Sequence, residues 1–170
     1  LPTRVGHGLL TNRRNLIVRR TLVALAATTT LVLAGCGGGG GGLDSVEVSK
    51  GETPKVTVNK DFKTEKTTTR VITEGDGDKI AEGDSIKFNY IAVNGRTGKE
   101  FDNSFASQSP NSLTLNETTL PGFSKGLVGQ LIGSRVLVAV SPKDGTEVMQ
   151  DAGSLDLKKT DSMVFLFDII

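Results

Sequence analysis

The residues that most often carry covalent or metal chemistry are scarce in this sequence. Cys36 is the only cysteine and His7 the only histidine among 170 residues. A single thiol forms no internal disulfide or thiolate cluster, and a single histidine in the basic leader excludes a Ser–His–Asp triad or a histidine-ligated zinc site beyond it. Asp76 and Asp78 lack the run of oxygen ligands that a calcium loop requires, so a solvated turn is expected there. We therefore expect no metal and no other cofactor.

Cys36 follows a segment with the pattern of a secretory signal. Several arginines precede the apolar run 21–33, which is shorter than the about 20 residues that a membrane-spanning helix needs. The sequence Leu-Ala-Gly-Cys at 33–36 resembles the lipobox of bacterial lipoproteins. That resemblance implies that 1–35 is a leader and that Cys36 carries lipid after cleavage. A core helix that ends in small residues is the alternative interpretation.

A glycine run separates Cys36 from the remainder of the chain. Six consecutive glycines at 37–42 neither pack nor favour a helix, so they are expected to act as a flexible tether. We assign 36–66 to the lipidated cysteine, this tether and an N-terminal extension, in which 54–58 is a candidate edge strand. The predicted location is extracytoplasmic, with the chain anchored to the bacterial cell membrane as a lipoprotein.

The charge distribution argues against a nucleic-acid partner. The formal net charge is +1, but residues 1–35 hold five of the 20 basic residues and none of the 19 acidic ones. The part beyond the leader is therefore mildly acidic. Nucleic-acid binding requires a concentrated basic face, and the sequence shows none.

Beyond residue 66, alternating apolar residues predict a series of strands. They are expected at 68–72, 86–90, 113–115, 135–140 and 163–170, the last two with apolar residues on both faces. The stretch 123–132 places its apolar residues on one helical face, and Gly133 suits the left-handed position after the helix end. The predicted fold class is α+β, an antiparallel twisted sheet wrapped around one short α-helix.

In order and spacing, several stretches resemble the FKBP-type peptidyl-prolyl isomerase family. Residues 98–104, Gly-Lys-Glu-Phe-Asp-Asn-Ser, match its G-K-x-F-D-x-S signature. Residues 120–133 are similar to the helix pattern of this family, I-x-G-W…G-L-x-G-M-x-x-G. Further similarity lies at 74–77, 82–90, 141–142 and 163–168. The resemblance covers 67–170, which we assign as an FKBP-like isomerase domain.

The resemblance implies a substrate site in an apolar bowl beneath the helix. Phe123 takes the place of the usual floor tryptophan, and the backbone amide of Leu120 is expected to donate a hydrogen bond to a substrate carbonyl. Without the resemblance, Phe123 and Phe165 would be interpreted as ordinary core. The implied catalytic and substrate-binding residues are Tyr90, Phe101, Asp102, Leu120, Phe123 and Phe165.

Such a bowl needs no reactive side chain. Rotation about a prolyl amide meets a resonance barrier of about 18–20 kcal/mol. Because the twisted amide is less polar than either planar isomer, an apolar site binds it selectively. A chain without a free thiol or histidine beyond its leader is compatible with this chemistry.

Two aromatic positions of the family pattern are absent here. Asn111 or Ser112 stands where an aromatic is usual, and Lys-Asp-Gly-Thr at 143–146 replaces the stretch that carries a ligand-binding tyrosine. We name residues 143–162 the flap; it is polar and rich in acids such as Asp144. A shallower, wetter pocket with reduced turnover is expected.

Three functions remain open on the sequence. The first is a peptidyl-prolyl cis-trans isomerase that assists the folding of exported proteins, acts on proline-containing unfolded polypeptides and is a monomer. The second is an FKBP-like binding or chaperone module with little or no isomerase activity. The third, a surface adhesin or structural lipoprotein, is disfavoured because an adhesin has no need of the motifs at 101–102 and 120–133.

Overall fold

A computed structural model describes residues 42–107 and 109–170 of the chain. Cys36 and the leader lie outside these residues, as does the glycine run up to residue 41. The strands are β1 Glu47–Val48, β2 Val56–Thr57, β3 Thr68–Thr73, β4 Ser85–Asn94, β5 Glu100–Asn103, β6 Asn111–Thr114, β7 Arg135–Val140 and β8 Met163–Ile169. One α-helix, α1 Pro121–Leu127, lies among the described residues.

Six of the strands form one antiparallel sheet. Their order is β3-β7-β8-β4-β5, and β6 pairs with the free half of β4 on the same side as β5. The central strands β7 and β8 are apolar and buried along almost their whole length, because both faces of the sheet are covered. The α+β fold class with its antiparallel sheet and one short helix is confirmed.

The helix lies close against β7 on the inner face of the sheet. Gly122 and Gly126 face this strand, and an ideal Cβ on Gly126 would lie 2.6 Å from Cγ1 of Val138. An ideal Cβ on Gly122 would lie even closer to a side chain, 2.3 Å from Cγ1 of Val140. The two glycines, which weaken the helix in isolation, thus allow the contact that holds it in place.

The helix is shorter than the sequence predicted. Gly133 has the predicted positive φ, +88°, but it lies in a turn beyond the helix. The helix ends at Leu127 rather than at 132, and Gly129, with φ +90°, follows its end. The backbone turns there to meet Ile80: the Gly129 amide donates to the Ile80 carbonyl at 2.8 Å, and the Ile80 amide donates to the Gln130 carbonyl at 2.9 Å. Apolar spacing alone did not reveal this competing pairing.

Gly126→Ala is expected to destabilise the domain despite the better helix propensity of alanine. Overpacking against Val138 costs about 1–3 kcal/mol, more than the about 1 kcal/mol gained in propensity. The free energy of unfolding, measured in urea, should fall. Gly153→Ala is the matched control, because no atom lies within 4 Å of an ideal Cβ there. Equal stability of the two variants would contradict the close contact.

The outer face of the sheet is covered by the segment 43–62. Leu43, Val46, Val58 and Phe62 are buried, at 7%, 2%, 5% and 4% exposure, and pack on outward-facing core residues of β4, β7 and β8. The candidate edge strand at 54–58 is only two residues long. It pairs with β1 in a separate two-stranded sheet and does not join the main sheet. The N-terminal extension is therefore an integral part of the packed domain.

Candidate active site

A cavity of about 390 Å³ opens between α1, the inner face of the sheet and the flap. It is lined by all six residues named from the sequence, Tyr90, Phe101, Asp102, Leu120, Phe123 and Phe165. The remaining lining residues are Phe88, Asn111, Ser112, Leu113, Met149, Leu155 and Phe167. The structure thus brings the six together, while their roles towards a substrate stay a prediction.

Strands β4 and β8 supply most of the aromatic wall. Side chains two residues apart share a face of a strand, so Phe88 accompanies Tyr90, and Phe167 accompanies Phe165. The rings of Phe165 and Phe167 are stacked with centroids 5.7 Å apart. Phe88 and Phe167 were not among the predicted site residues. The same period-two alternation that identified the strands would have found both.

Phe123 forms the floor from the first turn of α1. Its ring meets Phe165 edge to face, with centroids 4.9 Å apart and an interplanar angle of 83°. It meets Phe167 similarly, at 5.3 Å and 84°. Edge-to-face pairs of this kind are worth about 0.5–1.5 kcal/mol beyond the area they bury. The half-buried ring is therefore fixed by two neighbours while part of it faces the cavity.

Tyr90 and Asp102 form a polar pair in the apolar wall. The Tyr90 hydroxyl donates a short hydrogen bond to Oδ2 of Asp102, while Oδ1 accepts from the Asn103 amide at 2.8 Å. The Tyr90 amide donates to Oγ of Ser104 at 2.8 Å, which ties β4 to the end of β5. Burial raises the pKa of Tyr90, and the hydrogen bond and the negative charge of Asp102 raise it further. The phenol therefore stays neutral and keeps its proton on the Asp102 side.

The titration of Tyr90 provides a direct test, because the chain has only one tyrosine. An ordinary tyrosine ionises near pH 10, whereas folded Tyr90 should show little tyrosinate absorbance at pH 10–11. Because only the unfolded chain ionises there, the free energy of unfolding should fall as pH rises above about 10. Asp102→Asn should lower the midpoint. A folded wild-type midpoint near 10 would contradict the pair.

Leu120 immediately precedes the helix and lines the cavity. It is the N-cap residue of α1, followed by Pro121 at the first helical position. Amides at a helix N-terminus have no partner within the helix. Among the described residues, none accepts a hydrogen bond from the Leu120 amide. The Leu120 amide thus has no backbone partner among the described residues, and its hydrogen bond to a substrate stays a prediction.

The flap closes the cavity with apolar side chains. Met149 and Leu155 of the flap line it. The flap acid Asp144 is buried elsewhere: it accepts from Nζ of Lys125 at 2.5 Å and from Oγ1 of Thr67 at 2.7 Å. The expectation of a wet, acidic flap facing the pocket is therefore wrong for this residue. The sequence showed the acids but not the partners that turn Asp144 away.

Electrostatics explain why the buried Asp144 stays ionised. Burial alone would raise its pKa, but the hydrogen bonds from Lys125, Thr67 and Ser141, together with the Lys125 charge, lower it on balance. A second flap acid, Asp161, is also buried and accepts from Nε of Arg96 at 3.0 Å. Hydrogen bonds and ion pairs thus attach the flap near both of its ends, at Asp144 and Asp161, to residues outside the flap.

Within 42–107 and 109–170, no group of three or more His, Cys, Asp or Glu side chains is placed to hold a metal ion. No helix in this part is long and apolar enough to cross a bilayer.

Comparison with known proteins gives a consistent family. The family model described as FKBP-type peptidyl-prolyl cis-trans isomerase matches residues 77–166. A probable FK506-binding protein of Corynebacterium glutamicum is 26% identical over 96 residues, which make up 56% of this chain and 78% of that protein.

Solved structures agree on the fold. FkpA from Escherichia coli matches with a TM-score of 0.53 and 25% identity, covering 61% of this chain and 46% of that one. The chain therefore spans less than half of FkpA. The N-terminal domain of FKBP42 from Arabidopsis thaliana matches with a TM-score of 0.57 and 22% identity, over 69% of this chain and 94% of that one.

Proposed function

Because this chain belongs to the FKBP-type peptidyl-prolyl cis-trans isomerase family, we propose that it catalyses cis–trans isomerisation of prolyl bonds in unfolded or exported polypeptides. The observation that carries the proposal is the aromatic cavity, in which all six expected residues meet. An enzyme of this kind needs a site that favours a twisted amide, and this is supported by the apolar lining of the cavity.

Each side of the cavity has a defined part in the proposed reaction. The prolyl ring packs on Phe123, between Tyr90 and Phe165. A substrate carbonyl accepts from the Leu120 amide, which holds the polypeptide on one side of the prolyl bond while the other side rotates. The apolar wall stabilises the twisted amide more than either planar isomer, because the twisted form has lost amide resonance and part of its polarity.

A protease-coupled assay with a prolyl peptide tests this function on residues 43–170. We expect catalysed isomerisation at a rate below that of family members with the full aromatic set, because Lys-Asp-Gly-Thr at 143–146 replaces the stretch that carries the flap tyrosine. At about 1.4 kcal/mol per tenfold in rate, loss of one aromatic contact to the transition state is enough for a tenfold reduction.

The second candidate is a binding module that holds unfolded chains without turnover. The missing flap tyrosine favours it, because the cavity then provides apolar contact but fewer groups that orient the amide. Uncatalysed kinetics from a folded domain that still suppresses aggregation of a denatured client would favour this function over the enzyme.

We also propose that the protein is exported and held at the membrane by lipid on Cys36. The support is the order of basic leader, short apolar run, Leu-Ala-Gly-Cys and glycine run in the sequence. A lipid anchor of more than one chain gives stable membrane attachment, whereas a single acyl chain binds marginally.

Cys36→Ala should release the domain from the membrane fraction or leave the leader uncleaved. The measurement is the mass and the fractionation of the protein expressed in a bacterial host with lipoprotein processing. Ser45→Ala, a change in the extension that touches no proposed processing site, is the control. An unchanged mass and membrane fraction for the cysteine variant would refute the anchor.

A further inference from the structure

Strand β6 leaves an open edge of the sheet beside the cavity. It pairs with β4 on one side, with Ile86 opposite Leu113 and Phe88 opposite Asn111, and with no other described strand. Asn111 and Ser112 are exposed and line the cavity rim. The cavity therefore opens directly onto a strand whose second side is unpaired.

The hydrogen-bond alternation shows which groups face this open edge. The Leu115 amide donates to the Asp84 carbonyl at 2.9 Å, so this pair belongs to the bonded set. Bonded and non-bonded pairs alternate in an antiparallel ladder. Leu113 and Asn111 therefore bond inward to β4, while the amide and carbonyl of Ser112 point outward.

The open edge is confined to the neighbourhood of Ser112. Further along β6, the Thr114 carbonyl already accepts from the Asn116 amide at 3.0 Å and from Oγ1 of Thr119 at 2.7 Å. The side chain of Ser112 faces away from the core side occupied by Leu113. Because Ser112 nonetheless lines the cavity, its backbone borders the space that a substrate enters.

We propose that an extended client segment next to the substrate proline adds to β6 as a further strand, bonded to the amide and carbonyl of Ser112. This rests on the proposed function, and it defines the preferred substrate as an extended polypeptide several residues longer than an Xaa-Pro unit. A cavity of about 390 Å³ is the size of a small-molecule site, so the flanking residues must leave it along its rim. Main-chain pairing on the rim adds affinity without requiring a particular flanking sequence.

Peptide length tests the proposal on the full chain. A four-residue and a twelve-residue peptide share one Xaa-Pro centre, and kcat/KM is measured for both. Each net main-chain hydrogen bond changes affinity by about twofold to tenfold, so the longer peptide should be favoured by about tenfold. Ser112→Pro removes the outward amide, a change that edge strands tolerate, and should reduce this length ratio. Ser112→Ala keeps the amide and should retain the ratio.

Two further arms keep the result interpretable. If Ser112→Pro does not fold, single N-methylation of the flanking amides on the long peptide is used with the unaltered protein. Methylation of a peptide amide that pairs with β6 should lower the ratio of long-peptide to short-peptide kcat/KM. Methylation of the next amide should leave that ratio unchanged, because successive strand amides point to opposite edges. If no peptide is turned over, dissociation constants of the short and long peptides are compared instead of kcat/KM. Binding can then support this proposal even where the isomerase activity is absent. Equal handling of short and long peptides, or an equal effect of Ser112→Ala and Ser112→Pro, would overturn it.

Discussion

Phe123→Ala is expected to lower kcat/KM for prolyl peptides by about tenfold or more. The ring is the floor of the cavity, and its loss removes the surface on which the prolyl ring packs. One modest aromatic contact made selectively in the transition state already corresponds to about 1.4 kcal/mol and tenfold in rate. The loss should be larger for Phe123, because Phe165 and Phe167 would also lose the edge-on partner that fixes their orientation.

The effect of this change on stability should be smaller than for a core phenylalanine. Truncation of a fully buried phenylalanine costs about 3–5 kcal/mol, but Phe123 is only half-buried, so about half of that is expected. The measurements are peptide kinetics and urea unfolding on the same preparation. A change in stability without a change in turnover would place Phe123 in the core alone.

Phe105→Ala is the matched control for Phe123. Phe105 is also half-buried, but it packs against the outer cluster of the sheet, on the side away from the cavity. Its loss should reduce the free energy of unfolding while kcat/KM per folded molecule is retained. Equal loss of turnover in both variants would show that activity simply follows stability.

The second large effect is expected when residues 43–66 are removed. A chain that starts at residue 67 exposes the outer face of the sheet, where Ile91, Leu137 and Leu166 are fully buried. The four side chains of the extension that cover this face contribute about 1.5–3 kcal/mol each, or roughly 6–12 kcal/mol together. That is the size of the whole stability of a typical domain, about 5–15 kcal/mol. The shortened chain should therefore be unfolded or aggregated.

Circular dichroism and size-exclusion chromatography of residues 67–170 and 43–170 check this expectation. The longer chain retains the cover and should be folded with a cooperative thermal transition. Phe62→Ala within it should reproduce part of the loss, because Phe62 is buried under the same face. A folded, soluble chain from residue 67 would show that the extension is dispensable.

The sequence predicted the elements whose signals are local. Alternation placed β3, β7 and β8 within one residue of their observed limits, whereas β4 continues four residues beyond the predicted end at 90. The motif spacing brought six cavity residues together. The strand placement and the motif spacing were predictable because alternation and turn residues are signals within a few consecutive positions.

Features that depend on contacts distant in the sequence were not predicted. The helix ended early because Gly129 and Gln130 pair with Ile80, some 50 residues before them. The packing of the N-terminal extension on the outer face of the sheet was not predicted, because the sequence of the extension is polar with scattered valines. Asp144 looked like a solvated flap acid because its partners Thr67 and Lys125 lie on other elements. A single sequence shows which polar and apolar residues are present, but not which distant residues become their hydrogen-bond or packing partners.

The strand order also bears on when the domain can form. Strand β8, close to residue 170, lies at the centre of the sheet between β7 and β4, so its pairing joins residues as distant as Phe88 and Ile169. Such non-local pairings must overcome a large loop-closure entropy, and sheets built from them fold in about milliseconds to seconds, far more slowly than helical bundles. Because β7 and β4 are joined only through β8, we expect no stable sheet before β8 has been synthesised. A newly made chain therefore has an interval in the unfolded state, which is the state in which a polypeptide can be threaded through a translocation channel.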